Sequence, residues 1–424
     1  FTWTNNNTSI GLASNGTGDI AAFTGLNTGS TPGVATIIVT PMYGSCAGTP
    51  ASFTITVNPT PAVNAVADQT LCNGAGTTAV NFTGTATSYD WTNDTPSIGL
   101  LATGTGNIGS FAATNAGSTP VVATITITPK YTFGAVTCNG PTRSFTITVQ
   151  PTPVVAAISN QELCNGATTT AVSFTGTATS FTWTNDTPSI GVPASGTGNI
   201  AAFTAVNSTG AAVTATIVVT PHYGLCAGAT ESFTIKVDPT PDVTAIANQV
   251  VCNGVMTTAV SFTGTGTSYT WTNNAPSIGI GASGSGDIGA FAAINPGTSP
   301  VVATIIVTPV FTGGTTCNGP TKSFTITVNP TPSVTAPSSQ VVCNGGNTSA
   351  VNFSGTATRY DWTNDTPSIG LLATGTGNIA SFGAINAGTT PVVATITITP
   401  KYTFAGVTRN GSTQSFTITV EPTQ

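Results

Sequence analysis

Nine residues, Trp91-Thr-Asn-Asp-Thr-Pro-Ser-Ile-Gly99, return along the chain at Trp183 to Gly191 and at Trp362 to Gly370. They return once more at Trp271 to Gly279, with Asn274-Ala275 in place of Asp-Thr. A looser copy runs from Trp3 to Gly11 and has Thr8 where the others carry proline. The tryptophans at 3, 91, 183, 271 and 362 are the only five in the protein, so the steps are 88, 92, 88 and 91 residues. A period of that size specifies a string of like domains rather than one large core. Function has to be sought first in the module and then in the string.

Pro-Thr-Pro recurs at 59–61, 151–153, 239–241 and 330–332, and Pro422-Thr-Gln424 closes the sequence. Proline stiffens its surroundings and cannot donate to a sheet, so these read as short, semi-rigid linkers. The expected units are 59–150, 151–238, 239–329 and 330–424, preceded by 1–58, a partial module without its first strands. The chain opens two residues before a tryptophan, which reads as a segment of a longer polypeptide.

Within a module the pattern is that of short strands with almost no helix. In 151–238, TAVSF (170–174), Phe181-Thr-Trp183, VTATIVV (213–219) and SFTIKV (232–237) alternate apolar and polar positions, and turn signals fall every 8 to 12 residues. The fold class is therefore all-β, a tandem array of immunoglobulin-like sandwiches of about 90 residues forming an extended rod. Such a sandwich keeps a buried indole on the strand after the first long one. Trp3, Trp91, Trp183, Trp271 and Trp362 are accordingly core candidates, not sugar-stacking surfaces.

Only 5% of residues are charged and the net charge is −6 over 424 residues, with seven basic side chains in all. No phosphate-binding stripe can be built from these, which excludes nucleic acid and anionic membranes as partners. No apolar run approaches the length of a membrane span. His222 is the single histidine, and its counterparts are Met42, Lys130, Val310 and Lys401, so no repeated catalytic triad exists. It reads as a solvent-facing turn residue. Ser195-Gly-Thr-Gly-Asn-Ile200 resembles a phosphate loop but lacks its lysine and helix. Asp94, Asp186 and Asp365 are the least poor candidates for calcium, although Asn274 stands at the same place in another module. N-x-S/T sequons are plentiful, for example at Asn81, Asn93, Asn185 and Asn364, as expected by chance in an Asn/Thr-rich chain. No cofactor and no enzymatic activity is expected.

Eight cysteines point to an oxidising compartment. Cys46, Cys138, Cys226 and Cys317 sit in a late hairpin, and Cys72, Cys164, Cys252 and Cys343 in Cys-Asn-Gly before the first long strand. Pairing inside each module gives 72–138, 164–226 and 252–317, leaving Cys46 and Cys343 alone because Arg409 stands where the latter's partner would be. Pairing across the linkers gives 46–72, 138–164, 226–252 and 317–343, uses all eight and keeps a constant separation of 26. It also makes Pro-Thr-Pro a hairpin turn. The second scheme is preferred and the first stays open.

The set Pro-Thr-Pro, Cys-Asn-Gly, TAVxFTG, WTNDxPSIG, Gly-Thr-Gly-Asn-Ile, VVATITITP and SFTITV resembles the PKD-like, immunoglobulin-like repeats of very large Bacteroidetes cell-surface proteins. The likeness covers the whole chain. It implies export by the type IX system, an extracellular location, and kinship with filamentous adhesins of gliding bacteria. What it implies about function is a non-enzymatic stalk holding an adhesive tip away from the cell. The alternative is a self-assembling filament subunit, and a glycan-binding array is the third reading. Neighbouring modules of the same chain are the expected partners.

Overall fold

The computed structural model describes residues 1–423; Gln424, the last residue of the closing linker copy, lies outside them. The fold is all-β, and among the described residues its only helical turns are five three-residue 3-10 turns, such as Pro188–Ile190. Five units, called I to V after Trp3, Trp91, Trp183, Trp271 and Trp362, each close over a separate apolar cluster.

Unit III serves for all. Its sheet runs from the edge strand Gln161–Cys164 through Glu231–Asp238, Val213–Tyr223 and Ser180–Asn185 to Ser195–Thr197, with Cys226–Ala227 folded back on the end of Val213–Tyr223. The edge strand is parallel to its neighbour, Cys164 standing opposite Asp238, and the other pairs are antiparallel. β-Branched residues suit this pleated surface. Ala215, Ile217 and Val219 on one face are fully buried, and Thr216 and Val218 between them lie half-buried on the other face. Units II, IV and V repeat this order.

The indole is the centre of the packing. Trp3, Trp91, Trp183 and Trp362 are buried, and Trp271 packs partly buried against its cluster. Each ring lies flat on a glycine of the facing strand (Gly16, Gly104, Gly196, Gly284, Gly375), where any Cβ would fall inside the ring's van der Waals envelope. The second glycine of the same motif has positive φ, as at Gly198 (66°), and its carbonyl accepts the indole N–H of Trp183 at 3.1 Å. The asparagine that follows then caps the opposite layer: Asn199 Oδ1 accepts from the Phe174 amide at 2.9 Å. Gly-Thr-Gly-Asn is thus a seat for tryptophan rather than for phosphate.

That opposite layer differs from expectation. TAVSF (170–174) is not a regular strand; a single bridge, Val172 to Ile200, is all the ladder it makes. Its backbone is served by side chains instead. Gln161 donates to the Thr170 carbonyl and accepts from the Thr170 amide, both at 2.9 Å, and Gln69, Gln249 and Gln340 do the same in their units. Amide side chains that satisfy the backbone locally remove the need for a ladder. Each sandwich is therefore one regular sheet faced by an irregular extended layer.

Pro-Thr-Pro is a clamp and not a hairpin turn. The edge strand after it does not lie antiparallel to the strand before it; Gln69–Cys72 runs parallel to Arg143–Gln150, the last strand of its own unit. All eight prolines of these linkers are buried. The asparagine of Cys-Asn-Gly reaches the threonine of the linker that leaves its unit: Asn73 Nδ2 donates to Thr152 Oγ1 at 2.9 Å, with the same bond from Asn165 to Thr240 and from Asn253 to Thr331. The second proline of each linker presses its carbonyl on a glycine at the hairpin base of the next unit (Pro61 on Gly140, Pro153 on Gly228), where a Cβ has no room.

Unit I departs from the rest. Among the described residues its sheet has four strands, with none beside Ala51–Val57 in the place of the parallel edge. Phe53 is consequently 47% exposed, whereas Phe145, Phe233, Phe324 and Phe416 are 2–3% exposed.

Candidate functional site: the junctions between units

The cysteines join successive units. Cys72 of unit II is bonded to Cys226 of unit III, and Cys164 of unit III to Cys317 of unit IV, with sequence separations of 154 and 153 residues. Both pairings expected from the sequence are thereby corrected: 46–72, 138–164, 226–252 and 317–343 are not formed, nor are 72–138, 164–226 and 252–317. The physical reason is the direction in which the edge strand looks. With its inner side paired to the last strand of its own sheet, its outer side faces forward, to the hairpin of the next unit. Bare edges invite such cover.

Register identifies the equivalent position in every hairpin. Cys226 stands opposite Tyr223, Cys317 opposite Phe311, Cys138 opposite Tyr131, Cys46 opposite Tyr43, and Arg409 opposite Tyr402. Arg409 therefore occupies the place that would bond Cys252. The hairpin strand Val407–Asn410 does pack on the edge strand Gln249–Cys252, but no bond closes it. Burial pushes the Cys252 thiol above its ordinary value, and the Arg409 charge opposes that. The Arg409 Nε is buried without a hydrogen-bond partner. At the first junction the unit II hairpin meets unit I, Asn58 Nδ2 donating to the Val136 carbonyl at 3.3 Å, and Cys138 is a half-buried free thiol beside it.

The III–IV junction is the most elaborate. Glu162, in the middle of the edge strand, accepts from the Gly314 amide at 2.6 Å and pairs with Lys236, while its carbonyl accepts from Thr315 Oγ1 at 3.2 Å. Those bonds hold the carboxyl below its usual range, the Lys236 ammonium contributing most. Lys236 also lies 3.5 Å from Asp238, whose side chain is wholly buried under the hairpin. A Cβ at Gly313 would collide with the Asp238 carboxylate and one at Gly314 with that of Glu162, so the Gly-Gly tip leaves both carboxylates room in these positions. The sequence reading missed these residues; the signal was the Gly-Gly pair, which the other hairpins lack.

The remaining candidates have structural occupations. Asp94, Asp186 and Asp365 each accept from a backbone amide 30 residues on (Thr124, Thr216, Thr395) at 2.8 Å. These bonds lower their carboxyls. Asn274 makes the same bond to Thr304 and Asn6 to Thr36, so the position needs an oxygen acceptor and not a charge. His222 is a half-buried strand residue, contrary to the turn position expected, and its Nε2 lies 2.9 Å from Thr182 Oγ1. Asn93, Asn185 and Asn364 are buried and donate to backbone carbonyls, whereas Asn81 is exposed.

No protein-family model matches the chain, and no curated protein matches it. Among solved structures it is similar to protocadherin gamma B2 extracellular cadherin domains 1–5, at 10% identity over 93% of this chain and 86% of that one, with a TM-score of 0.28. It is also similar to Sidekick-1 immunoglobulin domains 1–5, at 13% identity over all of this chain and 92% of that one, with a TM-score of 0.27. The insect immune protein hemolin matches at 12% identity over 86% of this chain and all of that one, with a TM-score of 0.24. Likenesses this loose carry no function across.

Proposed function

We propose that the chain is a non-enzymatic, load-bearing stretch of an extracellular adhesion-type string, with modules at 1–58, 59–150, 151–238, 239–329 and 330–424 and the stalk role that its resemblance to Bacteroidetes surface adhesins implies. The observation that carries this reading is the interleaving of the two staples: Cys164 lies inside the loop closed by Cys72–Cys226, and Cys226 inside that closed by Cys164–Cys317. A catalytic or ligand-binding array has no use for bonds that span three successive units. A tether does. If units II, III and IV unfold under tension, the taut path from Cys72 to Cys317 crosses one staple, returns along the 62 residues between Cys226 and Cys164, and crosses the other. The backbone route is 245 residues. The difference limits the extension by about 60 nm, at roughly 3.3–3.6 Å per extended residue.

Disulfides of this kind persist outside reducing compartments, which supports an extracellular site. No helix of the described residues is long and apolar enough to cross a membrane. The clamped linkers support an extended string that resists bending at each joint, and a nearly uncharged surface keeps that behaviour independent of salt. Single-molecule pulling from the two ends tests the reading. Full extension should be about 60 nm longer in reductant than without it; equal extension in both conditions contradicts it.

A further inference from the structure

We infer that the two staples differ towards thiol reductants, Cys72–Cys226 being the labile one and Cys164–Cys317 the durable one, so that the string gives way in two steps of fixed order. This rests on the tether reading above and adds a redox grading to it.

The two bonds are alike in other respects that bear on lability. They close loops of 154 and 153 residues, so the chain entropy each restricts is the same. Access is the same too: Cys226 and Cys317 are 4% and 3% exposed, and Cys72 and Cys164 are half-buried. What differs is charge. In the parallel ladder of unit II, Thr70 stands beside Thr148 and Cys72 beside Gln150, all of them uncharged. The same four places in unit III hold Glu162 beside Lys236 and Cys164 beside Asp238. Alternate strand residues share a face, so these charges lie on the side of the sheet that bears the cysteine. Lys236 pairs with Glu162 and lies 3.5 Å from Asp238, which leaves one carboxylate in excess. Asp238 is wholly buried and neither of its oxygens accepts a hydrogen bond, so little screens it from the sulfurs. Asp68 of unit II is four residues from Cys72, exposed, and bound to the Thr146 amide.

Reduction proceeds through thiolates. A glutathione thiolate attacks one sulfur, the S–S bond breaks, and the other cysteine leaves as thiolate and takes up a proton. A second glutathione thiolate attacks the mixed disulfide, frees the first cysteine as thiolate and departs as oxidised glutathione. An excess carboxylate opposes both the approaching anion and the charge growing on the leaving sulfur. The order has a mechanical consequence. With Cys72–Cys226 open, the taut path runs 92 residues from Cys72 to Cys164 and then crosses the other staple. The string gains only about 10 nm, and the 153 residues behind Cys164–Cys317, about 50 nm, stay locked until that bond opens.

The test is differential alkylation of the full chain. Accessible thiols are first blocked, reduced glutathione is added, and newly released cysteines are trapped over time with an isotopically distinct reagent and read by peptide mapping. Cys72 and Cys226 should be labelled first, and Cys164 and Cys317 about tenfold more slowly. Asp238→Asn removes the excess charge and places there the residue that unit IV carries at the same position, Asn329; it should bring the two rates together. Gln150→Asp should slow the release of Cys72 and Cys226. Equal rates in the wild type, the reverse order, or an order unchanged by Asp238→Asn would overturn the inference. A map taken before glutathione is added separates the two claims. If both cross-unit pairs are present and then open together, only the grading fails; if the pairs are absent from the start, the tether reading fails with it.

Discussion

Junctions III–IV and IV–V place the same hairpin on the same edge strand, yet only the first is closed covalently. At III–IV the cover is a disulfide, the Glu162 carboxylate and a Gly-Gly tip. At IV–V it is a buried thiol facing an arginine, with Val250 where Glu162 stands in unit III. The seating persists without the bond. Geometry at the joint is therefore set by the linker: asparagine on threonine, proline carbonyl on glycine. The disulfide adds a limit on opening to a contact that already exists.

The largest way to break the comparison is to unfold one unit on each side. Trp183→Ala in unit III and Trp362→Ala in unit V remove the same indole and should each cost about 3–5 kcal/mol. Hydrogen exchange resolved by unit should then find unit V opening first in the oxidised chain, because the staples restrict the unfolded state of unit III. Reductant should erase that order. If both variants open alike while oxidised, the staples restrict nothing.

A gain of function comes next. Arg409→Cys supplies the missing partner, and a third bond to Cys252 should form without moving either strand, closing a loop of the same class as the other two. Such a bond should raise the stability of unit V by about 2–4 kcal/mol, read by thermal unfolding with and without reductant. Failure of Cys252 to pair with the introduced thiol would show that the hairpin of unit V is not seated as described.

The smallest effect is that of pH. Glu162 titrates below its ordinary value of 4.5 in the folded chain, so its contribution is present above that pH and is lost as pH falls through the lowered value. Lys236 is raised above 10.5 by the same pair, and its share is lost only as pH rises through that higher value. Protection of the Gly314 amide, relative to the intrinsic exchange rate at each pH, should therefore fall in acid, while the IV–V contact, which has valine at that place, does not respond. A Glu162→Gln chain should lose the acid response. Equal acid sensitivity at both junctions would remove Glu162 from the account.

Much of this fold is legible in the residues. The five tryptophans and the in–out alternation of VTATIVV specify repeated sandwiches around an indole, and the strands stand where that alternation puts them. TAVSF shows the boundary of the method. Alternation is the same for a ladder strand and for an extended segment whose backbone is satisfied by Gln161 and Asn199, and only the position of those side chains tells them apart. Cysteine spacing misleads for a related reason. Separations of 26 or 62–66 are measured along the chain, whereas the partner is chosen by which way the edge of a sheet faces, and that lies one whole period on. Arg409 held the clue: its absence of sulfur leaves Cys252 free, not Cys343 alone.

A non-reducing peptide map of the intact chain addresses the staples most directly. Digestion without reductant should release the peptide carrying Cys72 joined to that carrying Cys226, and the peptide of Cys164 joined to that of Cys317. Recovery of Cys72 with Cys46 or Cys138, or of Cys164 with Cys138 or Cys226, would contradict the cross-unit tether.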